Sequence, residues 1–284
     1  MNHIAETCKL CNHSKFHNKY TIREFSIIEC CHCGFVQVSD IDKHEKYEYN
    51  DDYFRNNKYK DKTSLNRENK RRGKLLKKYC NLGSKVIDVG CAAGEFVFYV
   101  KNDFDIYGCD FSESAIKLAK IRNIEMENKF WVGSAENIKS ENMKYDAICL
   151  WDVIEHVYDP KLVISQLMEL LDDEGCIIIS TPNIGAFFSK LMKKKWPFMT
   201  PPEHVGFFSH KSMKFLAKKC NYKIVYWSSK GKWANLGFIL YKINRVKPGL
   251  IPERFIEFFK SGFLSKINIY VPTKDIQYVV IVKN

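Results

Sequence analysis

No run of eighteen apolar residues occurs in the 284-residue chain, which argues against a membrane-spanning helix. The opening stretch, Met1 to Cys11, lacks the apolar core of a secretory leader, so the expected location is the cytoplasm. An acidic excess is also missing: Lys and Arg number 45 against 33 Asp and Glu, a formal net charge of +12. The cations are not gathered into one stripe. The charge therefore favours anionic ligands or surfaces without singling out nucleic acid, and a lysine-rich genome bias would give the same composition. Nor is the cysteine count even. Eleven cysteines without an export signal argue against a disulfide framework and for reduced thiols.

Five of those cysteines lie within the first 33 residues. Cys8-x-x-Cys11 and Cys30-x-x-Cys33 are separated by eighteen residues, and each such knuckle presents two thiolates from a tight turn to one ion. The spacing predicts a tetrahedral zinc site with Cys8, Cys11, Cys30 and Cys33 as ligands. Cys31 or His32 is the alternative fourth ligand, and buried unmetallated thiols are the plain alternative. Four protein ligands would make the metal structural. The ribbon is expected over residues 1–45, with one short strand from Tyr20 to Ile28. Between the knuckles, aromatic and basic residues cluster only at Lys15 to His17 and Lys19 to Tyr20, which favours a packing or substrate-side module over an RNA reader. Residues 46–72 read as a tyrosine-rich linker or lid (Tyr47, Tyr49, Tyr53, Phe54, Tyr59), turning helical near Lys62 and running toward Tyr79.

From residue 73 onward the pattern alternates strand and helix, which implies a parallel sheet covered on both faces. Val86 to Val89 is an apolar run carrying one carboxylate, Asp88. It ends in Gly90-Cys91-Ala92-Ala93-Gly94, residues small enough to let a ligand approach backbone N–H groups. A second strand ends at Asp110, 22 residues after Asp88, the separation at which an acid on the neighbouring strand meets the ribose of an adenosine cofactor. Further strands are expected at Lys129 to Val132, Tyr145 to Trp151, Cys176 to Ser180, Lys223 to Ser228 and Ile276 to Val282.

These motifs, taken in order, resemble the class I S-adenosylmethionine-dependent methyltransferases. The likeness rests on Asp88 to Gly94, Asp110, Gly133 to Glu136, Trp151-Asp152-Val153-Ile154-Glu155-His156, and Gly175 to Asn183, and it covers roughly residues 73–230. It implies an α/β, Rossmann-like seven-stranded sheet, mostly parallel with the last strand antiparallel, and residues 73–284 as the methyltransferase domain. The cofactor would lie against Asp88, Gly90, Ala92 and Gly94, with its ribose on Asp110 beside Phe111 and its adenine near Ala135 and Glu136. Trp151 and Asp152 would flank the sulfonium. Two positions depart from the pattern: Ala92 replaces the commoner glycine, and Ser134 replaces an aspartate directed at the adenine. A ribbon in front of such a core, and Trp196 to Ser209 after the fifth strand, resemble the sugar methyltransferases of deoxysugar and surface-polysaccharide pathways.

The expected reaction is methyl transfer to a hydroxyl of a nucleotide- or lipid-linked sugar, a small-molecule acceptor. A quinol or other small aromatic acceptor is one alternative, and an RNA-binding or RNA-modifying protein is another. Removing the hydroxyl proton calls for a base, and His204, then His156, are the histidines expected near the carboxyl edge of the sheet. If residues 152–156 were helical, Asp152, Glu155 and His156 would share a face that could take a divalent cation. Residues 230–272 are expected as a helical insertion between the last two strands. It could cover the acceptor pocket, make a dimer contact, or lie on a membrane surface.

Overall fold

A computed structural model describes residues 7–39, 62–135, 138, 143–260 and 268–284. The tyrosines of the expected linker, and Glu136, lie outside the described residues.

The apolar runs become strands of one sheet: β4 (Lys85–Val89), β5 (Asp105–Asp110), β6 (Phe130–Val132), β7 (Tyr145–Trp151), β8 (Leu171–Pro182), β10 (Tyr222–Asn235) and β11 (Asn268–Lys283). Their order is β10-β11-β8-β7-β4-β5-β6. The five central and outer strands from β8 to β6 run parallel, and β11 enters antiparallel to both β8 and β10. This is the mostly parallel seven-stranded sheet with its last strand reversed. Such strands are buried on both faces, which is why β4, β7 and β8 read as near-continuous apolar runs. Ile87, Val89, Ile148, Leu150, Ile177 and Ile179 feed one core, and Val86, Ala147, Cys149 and Ile178 feed the opposite one.

Helices cover the faces: α1 (Lys62–Tyr79), α2 (Glu95–Val100), α3 (Glu113–Arg122), α4 (Pro160–Glu169), α5 (Phe187–Met192) and α6 (His210–Lys219). Side chains cap three of them. Ser112 accepts from Ala115 N–H, Asp159 accepts from Leu162 N–H, and Ser209 forms a reciprocal capping box with Ser212.

The N-terminal region differs from expectation. The expected single strand is a hairpin, β1 (Phe16–Ile22) with β2 (Phe25–Cys30), joined by β3 (Val36–Val38). The fourth strand of this small sheet comes from far along the chain: β9 (Gly206–Phe207) pairs with β3 through Val36 opposite Phe207 and Gln37 opposite Gly206. Phe25, Ile27, Val36 and Val38 then pack with Trp196, Met199 and Phe207. The strands flanking the C-terminal insertion are also longer than expected, because β10 and β11 remain paired out to Asn235 opposite Asn268. At Gly231 the register shifts, and a Cβ there would collide with the Val271 carbonyl. Only the span between those strand ends, with α7 (Leu236–Val246) and α8 (Glu253–Lys260), is insertion.

Candidate functional site

The site begins where β4 ends, at the carboxyl edge of the sheet, where open α/β folds bind ligands. Three residues of the turn have left-handed backbones: Gly90 at φ 76°, Ala92 at φ 47° and Gly94 at φ 73°. Ala92 tolerates this because the turn is tied from outside. Gly90 and Cys91 N–H both donate to the Cys109 carbonyl, at 2.8 and 3.0 Å, and Ala92 N–H donates to Asp110 Oδ2 at 2.9 Å. A Cβ at Gly90 would meet Val153 Cγ2 at 2.5 Å, and one at Gly94 would meet Asn123 Nδ2 at 2.9 Å, so both positions demand glycine. Arg122 completes the frame by donating to the Ala93 carbonyl at 2.7 Å and pairing with Glu95.

Asp110, at the tip of β5, is buried and accepts from two amides, Ala92 N–H and Ser112 N–H. Each carboxylate oxygen retains a further lone pair. Burial raises its pKa, opposed by those two amides. Phe111 beside it is half exposed. Asp88 lies deeper in β4, with Oδ1 buried and without a hydrogen-bond partner among the described residues. Burial pushes its pKa up to about 8, against the pull of Arg72. Ala135 is buried in the same core as Val89 and Cys109.

At the tip of β7, Trp151 packs edge-on against Phe96, and its Nε1 finds no partner among the described residues. Asp152 follows at φ 59°, so the chain turns here and does not form a helix. Its carboxylate faces Arg72, with Nη2 to Oδ2 at 2.7 Å, and accepts from Ser180 Oγ at 3.0 Å. The Arg72 guanidinium also lies 5.3 Å from the centre of the Trp151 ring. Coulombic attraction to Asp152 and Glu68 outweighs the burial of Arg72 and raises its pKa. Arg72 was not anticipated from sequence, where it is one cation in a lysine-rich helix.

That turn removes the helical spacing on which a shared face of Asp152, Glu155 and His156 depended. The residues brought together are Glu155, His156 and His204, whose ligand-type atoms lie within 4.8 Å of one another. Glu155 is buried and its Oε2 accepts from Thr181 Oγ1 at 2.8 Å. The two imidazoles meet edge to face at 4.7 Å between centres. His156 Nδ1 lies 2.6 Å from the Glu203 carbonyl and His204 Nδ1 lies 2.8 Å from the Phe198 carbonyl. A carbonyl can only accept, so these contacts assign the proton of each neutral ring to Nδ1 and leave Nε2 as the basic nitrogen. Both histidines predicted as bases therefore come together, although from segments 48 residues apart.

The four predicted thiols also converge. Cys8 and Cys33 Sγ are 3.5 Å apart, Cys11 and Cys30 Sγ are 3.5 Å apart, and all four lie within 4.8 Å. The Cys8 thiol hydrogen bond holds Cys33 down to about 5, while burial pushes Cys11 up to about 11.

The family model described as a methyltransferase domain matches residues 49–226. A ubiquinone biosynthesis O-methyltransferase from Aliivibrio fischeri (strain MJ11) is 30% identical over 105 residues, and one from Alkalilimnicola ehrlichii is 28% identical over 105. Those alignments cover 36% of this chain and 45% and 42% of the relatives, so the chain spans less than half the length of the curated relatives it matches. Among solved structures, magnesium protoporphyrin IX methyltransferase from Synechocystis PCC 6803, determined with bound SAH, superposes with a TM-score of 0.52 at 16% identity. It covers 81% of this chain and 88% of that one. A putative methyltransferase from Bacillus halodurans gives 0.51 at 12% identity, covering 74% and 96%. At such identities the likeness is one of fold. The family match spans more than half of the chain: the chain belongs to the methyltransferase-domain family.

Proposed function

We propose that the protein transfers a methyl group from S-adenosylmethionine to a hydroxyl of a small-molecule acceptor. The observation that carries this is Asp110: its buried carboxylate stands at the tip of β5, binds the turn at Ala92, and retains lone pairs beside the three left-handed residues of that turn. This is a pre-formed cradle for a ribose diol next to backbone able to approach a ligand closely. The turn residues Gly90, Ala92 and Gly94 would hold the methionine portion, Asp110 the ribose, and Ala135 the adenine side, with Trp151 walling the reactive end. When bound, the cofactor supplies a methyl on an electrophilic sulfonium. The chain's own task is to position the acceptor and take its proton. His204 and His156 suit that task, because their Nδ1 protons are committed to carbonyls and Nε2 is left basic. The names of the matched relatives favour oxygen as the atom methylated, and a quinol or similar aromatic hydroxyl over the sugar hydroxyl expected from sequence.

We further propose that Cys8, Cys11, Cys30 and Cys33 hold a structural zinc ion. Thiolates around one zinc at 2.3 Å stand about 3.8 Å apart, close to the spacing of the paired sulfurs.

The reading is tested by calorimetry with S-adenosylmethionine, followed by assay of S-adenosylhomocysteine release with catechol and sugar acceptors. Saturable cofactor binding that Asp110→Ala weakens at least tenfold is expected; binding equal in wild type and variant would discard it. With an acceptor in hand, His204→Gln should lower kcat by about 10²-fold and flatten the acidic limb of the kcat profile.

A further inference from the structure

A cavity of about 520 Å³ opens between the small four-stranded sheet and the carboxyl edge of β8, within the size range of ligand pockets. Lys190 in α5, Lys193 just beyond it and Lys211 in the first turn of α6 line it, and none has a carboxylate partner among the described residues. Glu29 is the one carboxylate among the lining residues, and it is occupied by Lys19 at 2.5 Å and His17 at 3.4 Å. The wall therefore carries three ammonium groups that no carboxylate among the described residues neutralises.

Two further features point to an anion. Ser209, His210 and Lys211 place the N-terminal end of α6 at the cavity. Its capping box occupies the Ser209 and Ser212 amides, so the amides of His210 and Lys211 remain as donors at the positive end of the helix dipole. Lys211 also reaches to the second cysteine knuckle: a Cβ built at Gly34 would lie 3.6 Å from its Cδ and 3.7 Å from its Nζ. Next to these cations stands a flat wall, the His210 ring stacked on Trp227 at 4.2 Å and 15°. His210 Nε2 is buried without a partner among the described residues.

We propose that this cavity binds the diphosphate group of a small-molecule ligand, with Lys190, Lys193, Lys211 and the first amides of α6 as its donors. A single carboxylate would leave two of the three ammonium groups unmatched, whereas a diphosphate carries two to three negative charges and enough oxygens to meet them all. The site stands on its own chemistry, independent of the methyl-transfer reading. The ligand could be nucleotide-linked or lipid-linked, since both carry the same group. Two of its lining residues, Trp196 and Met199, belong to the loop that carries His204, and a third, Asn183, lies two residues past the Thr181 that binds Glu155.

The full chain is titrated calorimetrically at fixed ionic strength with inorganic pyrophosphate, uridine diphosphate and geranyl diphosphate, alongside a separate titration with S-adenosylmethionine. Saturable one-to-one pyrophosphate binding is expected, weakened at least tenfold in the double variant Lys190→Gln, Lys193→Gln and again in Lys211→Gln, with the thermal midpoints of both variants retained. Tighter binding of uridine diphosphate than of pyrophosphate assigns a nucleotide source, and tighter binding of geranyl diphosphate a lipid source. Lack of saturable binding by all three, or affinities that the substitutions leave unchanged, overturns the site. So does a single-stranded oligonucleotide that displaces pyrophosphate, which would make the lysines a polyanion track. The S-adenosylmethionine titration is read on its own, so failure of this site and failure of the cofactor reading remain distinguishable.

Discussion

Asp88 is a carboxyl group whose protonation the fold itself controls. Its pKa rises from 3.8 to about 8, chiefly through burial. Between about pH 4 and 8 the folded chain holds a proton that the unfolded chain has released, so stability falls as pH rises across that window and levels off above it. Asp88→Asn should flatten this dependence, read as thermal midpoints from pH 4.5 to 8.5; an unchanged slope would show that another group sets it. Asp110 carries a different load. Alanine there strands the Ala92 and Ser112 amides, so a stability loss of about 1–3 kcal/mol should accompany the loss of cofactor affinity, measured by denaturant melts. The sequence exposed Asp110 because a short-range rule fixes it, an acid at the tip of the strand beside the glycine turn. Arg72 was hidden because its partner, Asp152, lies 80 residues away and nothing local distinguishes it from its lysine neighbours.

At the scale of elements, β4, β5, β7 and β8 were legible as apolar runs, and α1 as the helix expected from Lys62 toward Tyr79. The two-residue β9 was not, because its strand character comes wholly from pairing with β3. The divalent-cation alternative at residues 152–156 depended on helical spacing, and Asp152 adopts a left-handed turn there instead. β9 links the cysteine knuckles to the candidate chemistry, since Val205 and Gly206 N–H donate to the Glu155 carbonyl while Gly206 and Phe207 pair with β3. Cys8→Ser should lower zinc content below one equivalent. Zinc chelation should speed amide exchange at Val205 and Gly206 ahead of the β4 and β7 amides. Uniform exchange across both sheets would separate the knuckles from the histidine loop.

For the whole molecule, the +12 charge favoured anionic ligands without locating a site, because lysines spread along a chain acquire a place only when folding gathers some of them. Lys190 and Lys193 from the region of α5, and Lys211 from the start of α6, share one cavity wall. Residues 232–235 and 268–271, placed within the helical insertion from sequence, extend the β10 and β11 pairing.

The pairing of β3 with β9 also bears on synthesis. The knuckles emerge well before β9, and β3 remains an open sheet edge until residue 207 has left the ribosome. Through that interval the nascent chain presents an unpaired strand flanked by Phe25, Ile27 and Val38, a template for joining another chain. A fragment that stops before β9 should therefore aggregate where the 284-residue chain does not, and supplying residues 196–209 as a peptide should restore its solubility.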